Sequence, residues 1–194
     1  MSFWSRAILI DEFLLDYDYS ERHEIEISAP VPTVFAKVLK LDFRRSLVIR
    51  ILFALRSLPG LFTRREQSSP SLGLTMDALL KSGFILLAQI LNQEIVLGLV
   101  GRFWTACGDI QKMDAESFHN FNQPGFAKAL WNFSLHPEKT GVILRTETRI
   151  KCLDEQSHRK FARYWKIVQP FSGWVRKEAL RIIKAETEKR KEAT

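Results

Sequence analysis

The residues from which chemistry would have to start are few and scattered. His23, His119, His136 and His158 are widely separated and sit in unlike contexts, and Cys107 and Cys152 have neither metal nor disulfide spacing. The sequence also lacks a Gly-rich phosphate loop and a nucleophile elbow, so no catalytic residue, metal site or cofactor is expected. His23 is the histidine expected to face inward, where it could orient a bound molecule or act as an acid or base. The competing role is a core histidine satisfied by a backbone group or by Tyr19. Thr146 and Thr148 share a side with apolar neighbours, and a buried hydroxyl needs a partner worth roughly 1 kcal/mol, from a bound molecule, a water or the backbone. Trp131, Phe133, Trp165 and Phe171 form a candidate aromatic lining, with plain core as the alternative.

The elements that must position these residues follow from hydrophobic periodicity. Phe161, Trp165, Val168, Phe171, Val175, Ala179 and Ile182 recur at steps of three and four. This predicts one long helix from Asp154 to about Lys191, bent near Pro170 and carrying a stripe that must be buried. Upstream, residues 19–29 alternate, with Tyr19, His23, Ile25 and Ile27 on one side and Arg22, Glu24 and Glu26 on the other. Such a pattern predicts a half-buried strand. Residues 84–104 read as a hairpin turning at Asn92 and Gln93, with Ile90 facing Ile95 and Ala88 facing Leu97, so that Leu86, Ala88, Leu97 and Leu99 share one apolar face and Gln89, Glu94 and Arg102 the other. Two further strands, 126–135 and 142–150, turn Ala127, Ala129, Trp131, Phe133, Val142, Leu144, Thr146, Thr148 and Ile150 inward. Arg102 and Trp104 are placed at the rim, Arg102 pairing with Glu94 or with a carboxylate of the bound molecule.

Helices fill the intervals. A short one is expected within residues 3–15 and another after Pro32. A third, residues 45–58, is apolar nearly all round, with Phe53 on the face that also carries Arg45, Arg50 and Arg56. Its cover is either neighbouring chain or a transient contact with an anionic membrane surface, where Phe53 would form part of a cavity rim. Residues 75–81 predict a short helix ended by Gly83, and Asp114 caps another holding Phe118 and Phe121.

The chain of 194 residues is 46% hydrophobic and carries a net charge of +7. This suits one core, so a single domain over 1–194 is expected, with 1–16 an extension or short helix and 186–194 a frayed end. Residues 155–194 hold 11 Lys/Arg against 5 Asp/Glu, so the basicity belongs to the tail helix. That helix lacks the aromatic-and-basic sheet motif of a nucleic-acid reader, and a solvated face is expected rather than a nucleic-acid surface. No apolar run is long enough and free enough of charge to suggest a signal peptide or a membrane span, which predicts a cytoplasmic, soluble chain.

The order of strand, two short helices, antiparallel strands and long terminal helix resembles the START-like superfamily, also called SRPBCC or Bet v 1-like. The likeness is carried by Glu24–Pro30 (EIEISAP), Glu94–Trp104 (EIVLGLVGRFW), Ala127–Phe133 (AKALWNF), Thr146–Ile150 (TETRI) and Tyr164–Gly173 (YWKIVQPFSG). It covers roughly residues 17–185 and looks most like uncharacterised bacterial members. The resemblance implies an α+β helix-grip fold, a curved antiparallel sheet wrapped around the terminal helix. With the inward faces read above, the expectation is a lipid-like, sterol-like or polyketide-like ligand held without catalysis by His23, Ile25, Leu86, Ala88, Leu97, Leu99, Trp131, Phe133, Thr146, Thr148, Trp165 and Phe171. A cyclase or hydrolase using the same cavity, and an interaction module with a filled core, remain open alternatives. Against the enzyme stands the expectation that no carboxylate faces the cavity.

Overall fold

The computed structural model describes residues 9–42, 75–105 and 108–188. Helix α1 is the short turn Ile10–Phe13, and strand β1 follows as Tyr19–Ile27. The alternation of β1 is realised almost residue by residue, since even-numbered side chains are exposed and odd-numbered ones turn inward. Pro30 and Pro32 then set the first turn of helix α2, Val31–Leu39, which buries Val34, Phe35 and Val38. The predicted helix at 45–58, with Phe53, lies outside the described residues. Helix α3, Met76–Lys81, ends at Gly83, whose φ of +109° is the left-handed geometry a helix stop of this kind needs.

Strands β2, Ile85–Ile90, and β3, Glu94–Gly101, form the expected hairpin, but its register differs. The loop is one residue longer than predicted, with Asn92 at φ +59°, so Ile90 pairs with Glu94 and Ala88 with Val96. A bulge between Leu86 and Ala88 then shifts the pairing by one residue more and sets Leu86 opposite Leu97. Helix α4, Ala115–Asn120, is capped as expected: the Ser117 amide donates to Asp114 Oδ1 at 2.8 Å. Strands β4, Ala127–Glu138, and β5, Gly141–Cys152, make a long hairpin, and helix α5 runs unbroken from Glu155 to Glu188 through Pro170. Asp154 caps α5, accepting from the Ser157 amide at 2.9 Å. Bonds from the Ser157 hydroxyl, the Gly125 amide and the Ser157 amide pull the Asp154 carboxyl down to about 2.

The sheet is antiparallel throughout, in the order β1-β5-β4-β3-β2. One face grips α5 and α2, which gives the chain an α+β helix-grip fold. The main core lies between that face and the C-terminal half of α5, where Ile95, Leu97, Phe133 and Leu144 meet Ala179, Leu180 and Ile183. A second cluster joins Phe103, Ile150 and Phe161 at the other end of the grip, with Tyr19 and Trp165 packed against it.

The opposite face was expected to hold the outward polar residues. It is covered instead by α1 and α4, which place Ile10 and Phe118 over Val96, Val100 and Leu130. Strand β3 reads as nearly continuous apolar sequence for this reason: it is buried on both sides. Polar residues on this face are buried in a connected network. Glu94 accepts from the amides of Leu9 (2.8 Å) and Ile10 (3.3 Å) and from Asn132 Nδ2 (2.6 Å). Arg149 bonds Glu147 at 2.8 Å, Asp11 at 2.6 Å and the Leu14 carbonyl at 2.9 Å. Burial raises the Glu94 carboxyl above the usual carboxylate range.

Candidate functional site

Midway along the grip, between the two apolar clusters, the interface turns polar. Strand β1 places Glu21 and His23 on the inward side, opposite Thr148 and Thr146 of β5. His23 Nε2 and Glu21 Oε1 are 2.9 Å apart, and both side chains are largely buried. From α5, Arg176 enters the same space: its Nε donates to Thr148 Oγ1 at 2.6 Å and its Nη1 to the Ser172 carbonyl at 2.8 Å and to Ser172 Oγ. Its Nη1 lies 3.8 Å from Glu21 Oε2. Burial in the helix–sheet interface lowers the Arg176 guanidinium to about 10, with the Glu21 charge opposing that fall. The Trp131 indole donates to Thr146 Oγ1 at 2.7 Å, and Thr146 donates in turn to the Asn132 carbonyl at 2.7 Å. Both threonine hydroxyls are thus satisfied by protein groups. Glu21 Oε2 is buried and accepts no hydrogen bond.

Glycine at residue 173 leaves the room in which α5 closes on this cluster. A Cβ there would sit well inside contact distance of Glu21 Oε1 and 3.3 Å from His23 Nε2. On the β1 side of Gly173 a groove of about 390 Å³ opens, lined by Glu21, Gln169, Pro170, Gly173, Trp174 and Lys177. Its volume falls in the range of small-molecule sites.

The predicted site residues divide. His23, Trp131, Thr146 and Thr148 meet at the polar centre, and His23 is partnered by Glu21 rather than by Tyr19, which contacts His158 instead. Leu97 and Phe133 are core residues, with Phe133 5.0 Å from Trp131 between ring centroids, and Ile25 packs against that core. Leu99 and Trp165 join the cluster around Phe161. Three placements are corrected. Ala88 packs on the opposite face of the sheet because of the one-residue register change, and Leu86, although opposite Leu97, is 44% exposed on the edge strand. Phe171 is 45% exposed because the buried face of α5 is rotated away from it, toward Ser172, Gly173 and Arg176. At the rim, Arg102 pairs with Asp109 at 3.4 Å and stacks on Phe126 rather than meeting Glu94, while Trp104 packs on Phe161.

The expectation that no carboxylate faces the interior is also corrected, by Glu21. The signal was present: Glu21 lies between Tyr19 and His23 with the same parity. Arg176 falls on the buried face of α5, three and four residues after Gly173 and Ser172, and an apolar-only stripe passes over it. Among the described residues no helix is long and apolar enough to cross a membrane, and no group of three or more His, Cys, Asp or Glu side chains gathers as a metal site.

No protein-family model matches the sequence, and no curated protein matches it. Solved structures similar to it include three from bacteria. An AHSA1-like protein from Rhizobium etli is 13% identical, with a TM-score of 0.32, over 84% of this chain and 82% of that one. A Deinococcus radiodurans protein is 12% identical, with a TM-score of 0.29, over 80% and 99%. A Thermus thermophilus protein is 14% identical, with a TM-score of 0.31, over 87% and 96%. The helix-grip assignment stands on this chain's own strand order and helix placement.

Proposed function

We propose that this chain binds a small, mostly apolar molecule bearing one polar, hydrogen-bond-donating group, between α5 and β1, without transforming it. The observation that carries this reading is the buried Glu21 Oε2 at the wall of the groove, which accepts no hydrogen bond. A donor from the bound molecule would satisfy it, while Pro170 and Trp174 supply apolar contact. The test has two arms. Native mass spectrometry of gently purified protein, followed by extraction, should identify a co-purifying apolar molecule. The fluorescent amine 1-aminoanthracene should bind saturably at one equivalent and weaken at least tenfold in Glu21→Gln. If nothing co-purifies and the amine does not bind, the reading is wrong.

The 2.9 Å pairing of Glu21 and His23 supports a second reading, acid–base catalysis on the same bound molecule. Chemical change of an extracted ligand on incubation with the wild type, abolished in His23→Ala, would favour it over simple carriage.

A further inference from the structure

The outer face of α5 carries an apolar patch that meets the groove only at its edge, through Trp174 and Lys177. Ile167, Phe171 and Trp174 are 69%, 45% and 47% exposed, side by side on the helix surface, with Trp174 at the groove edge. Arg163, Ile167, Trp174 and Arg181 fall on one stripe at steps of four and seven, so the apolar patch has exposed cations beyond both of its ends: Arg163 and Lys166 before it, Lys177 and Arg181 after it. From Arg163 to Arg181 the stripe runs roughly 27 Å. Glu178 lies beside it, mostly covered at 21% exposure and 4.0 Å from Arg181.

We infer that this face of α5 docks on an anionic phospholipid bilayer. The arrangement is what an interfacial helix face requires: apolar side chains, an aromatic among them, to enter the headgroup boundary, and cations on either side to meet lipid phosphates. Its symmetry argues against the other occupants. A second copy laid on the stripe, parallel or antiparallel, would bring cations against cations. A nucleic-acid backbone would leave the central Ile167 and Phe171 without a role. The groove shares Pro170 and Trp174 with this region, so a docked molecule would present the groove mouth to the lipid. The inference does not depend on the groove being occupied.

The test uses the full chain and vesicles of phosphatidylcholine alone or mixed with phosphatidylglycerol. Co-sedimentation should show at least tenfold stronger partitioning to the anionic vesicles, falling with added salt, and brominated lipid should quench tryptophan emission. Each Lys or Arg near such a surface is worth about a fivefold change in partitioning. Lys166→Glu with Lys177→Glu should therefore lower binding by about 25-fold or more. Ile167→Ser with Phe171→Ser, both exposed and outside the groove, should lower it about tenfold with unchanged circular dichroism and melting. Failure to bind anionic vesicles, equal binding to neutral ones, or full binding by the Ile167/Phe171 variant would overturn the proposal. Salt-sensitive binding to duplex DNA that outcompetes vesicles, or a lipid-free dimer abolished by Phe171→Ser, would overturn it in favour of those partners.

Discussion

Replacing Gly173 with alanine sets two well-understood effects against each other at one atom. In the interior of an exposed helix, Gly→Ala gains about 1 kcal/mol through reduced backbone entropy in the unfolded chain. Here the added methyl would collide with Glu21 Oε1 and crowd His23 Nε2 at 3.3 Å, so either α5 lifts from β1 or the Glu21–His23 pair is displaced. Overpacking of this kind costs about 1–3 kcal/mol. The net expectation is destabilisation by about 0–2 kcal/mol, from the difference of those terms. Removing the obstacle should reverse the sign: in a Glu21→Ala background, Gly173→Ala should stabilise by up to about 1 kcal/mol. Urea unfolding followed by far-ultraviolet circular dichroism, on the wild type, both single variants and the double, measures all four corners. A Gly173→Ala protein more stable than wild type, or the same effect in both backgrounds, would refute the close approach of α5 to Glu21.

Three further outcomes are expected. Arg176→Met should cost about 3 kcal/mol by leaving Glu21 without its cation and Thr148 without its donor, and combining it with Glu21→Gln should show a favourable coupling of about 1–2 kcal/mol in the same urea assay. Asp154→Asn should weaken the α5 cap. Because the folded carboxyl is held near 2, below its ordinary value, its contribution is present above pH 4 and lost as pH falls toward 2, so the stability gap between wild type and variant should narrow on titration from pH 5 to 3. Cys152, buried and with its thiol pushed up to about 12, should resist a disulfide reagent at pH 8 in a Cys107→Ser background until urea unfolds the protein.

What the sequence discloses and what it hides have separable physical causes. Alternation is strict in β1 and broken in β4 and β5 only by Leu130 and Ile143, because one side of each strand faces α5 and its interior partners, and those strands were legible to within three residues at their ends. The β2–β3 turn was misread by one position because Leu91, Asn92 and Gln93 are all compatible with a turn, and only three-dimensional packing reveals the bulge that follows. The covered second face was hidden for a different reason. Glu94, Asn132, Glu147 and Arg149 look like surface residues, and their burial is made tolerable by one another and by backbone amides from residues 9 and 10. Half of the polar centre could be read from His23 and the threonine pair. Glu21 and Arg176 were missed because a search for apolar stripes passes over charged residues with the same periodicity, although parity alone placed Glu21 inside.

The docking of α1 bears on the order in which the chain can assemble. Its amides are held by Glu94, and the segment after it is clasped by Arg149, a residue from the last strand. Strand β1 likewise finds its single sheet neighbour in β5, more than a hundred positions away. Both therefore wait for the β3–β4–β5 meander, whose closing loops are shorter and cost less entropy. During synthesis Leu9 and Ile10 gain their apolar partners Val96, Val100 and Leu130 only as β3 and β4 are made, and β1, which follows them in the chain, waits longer still for β5.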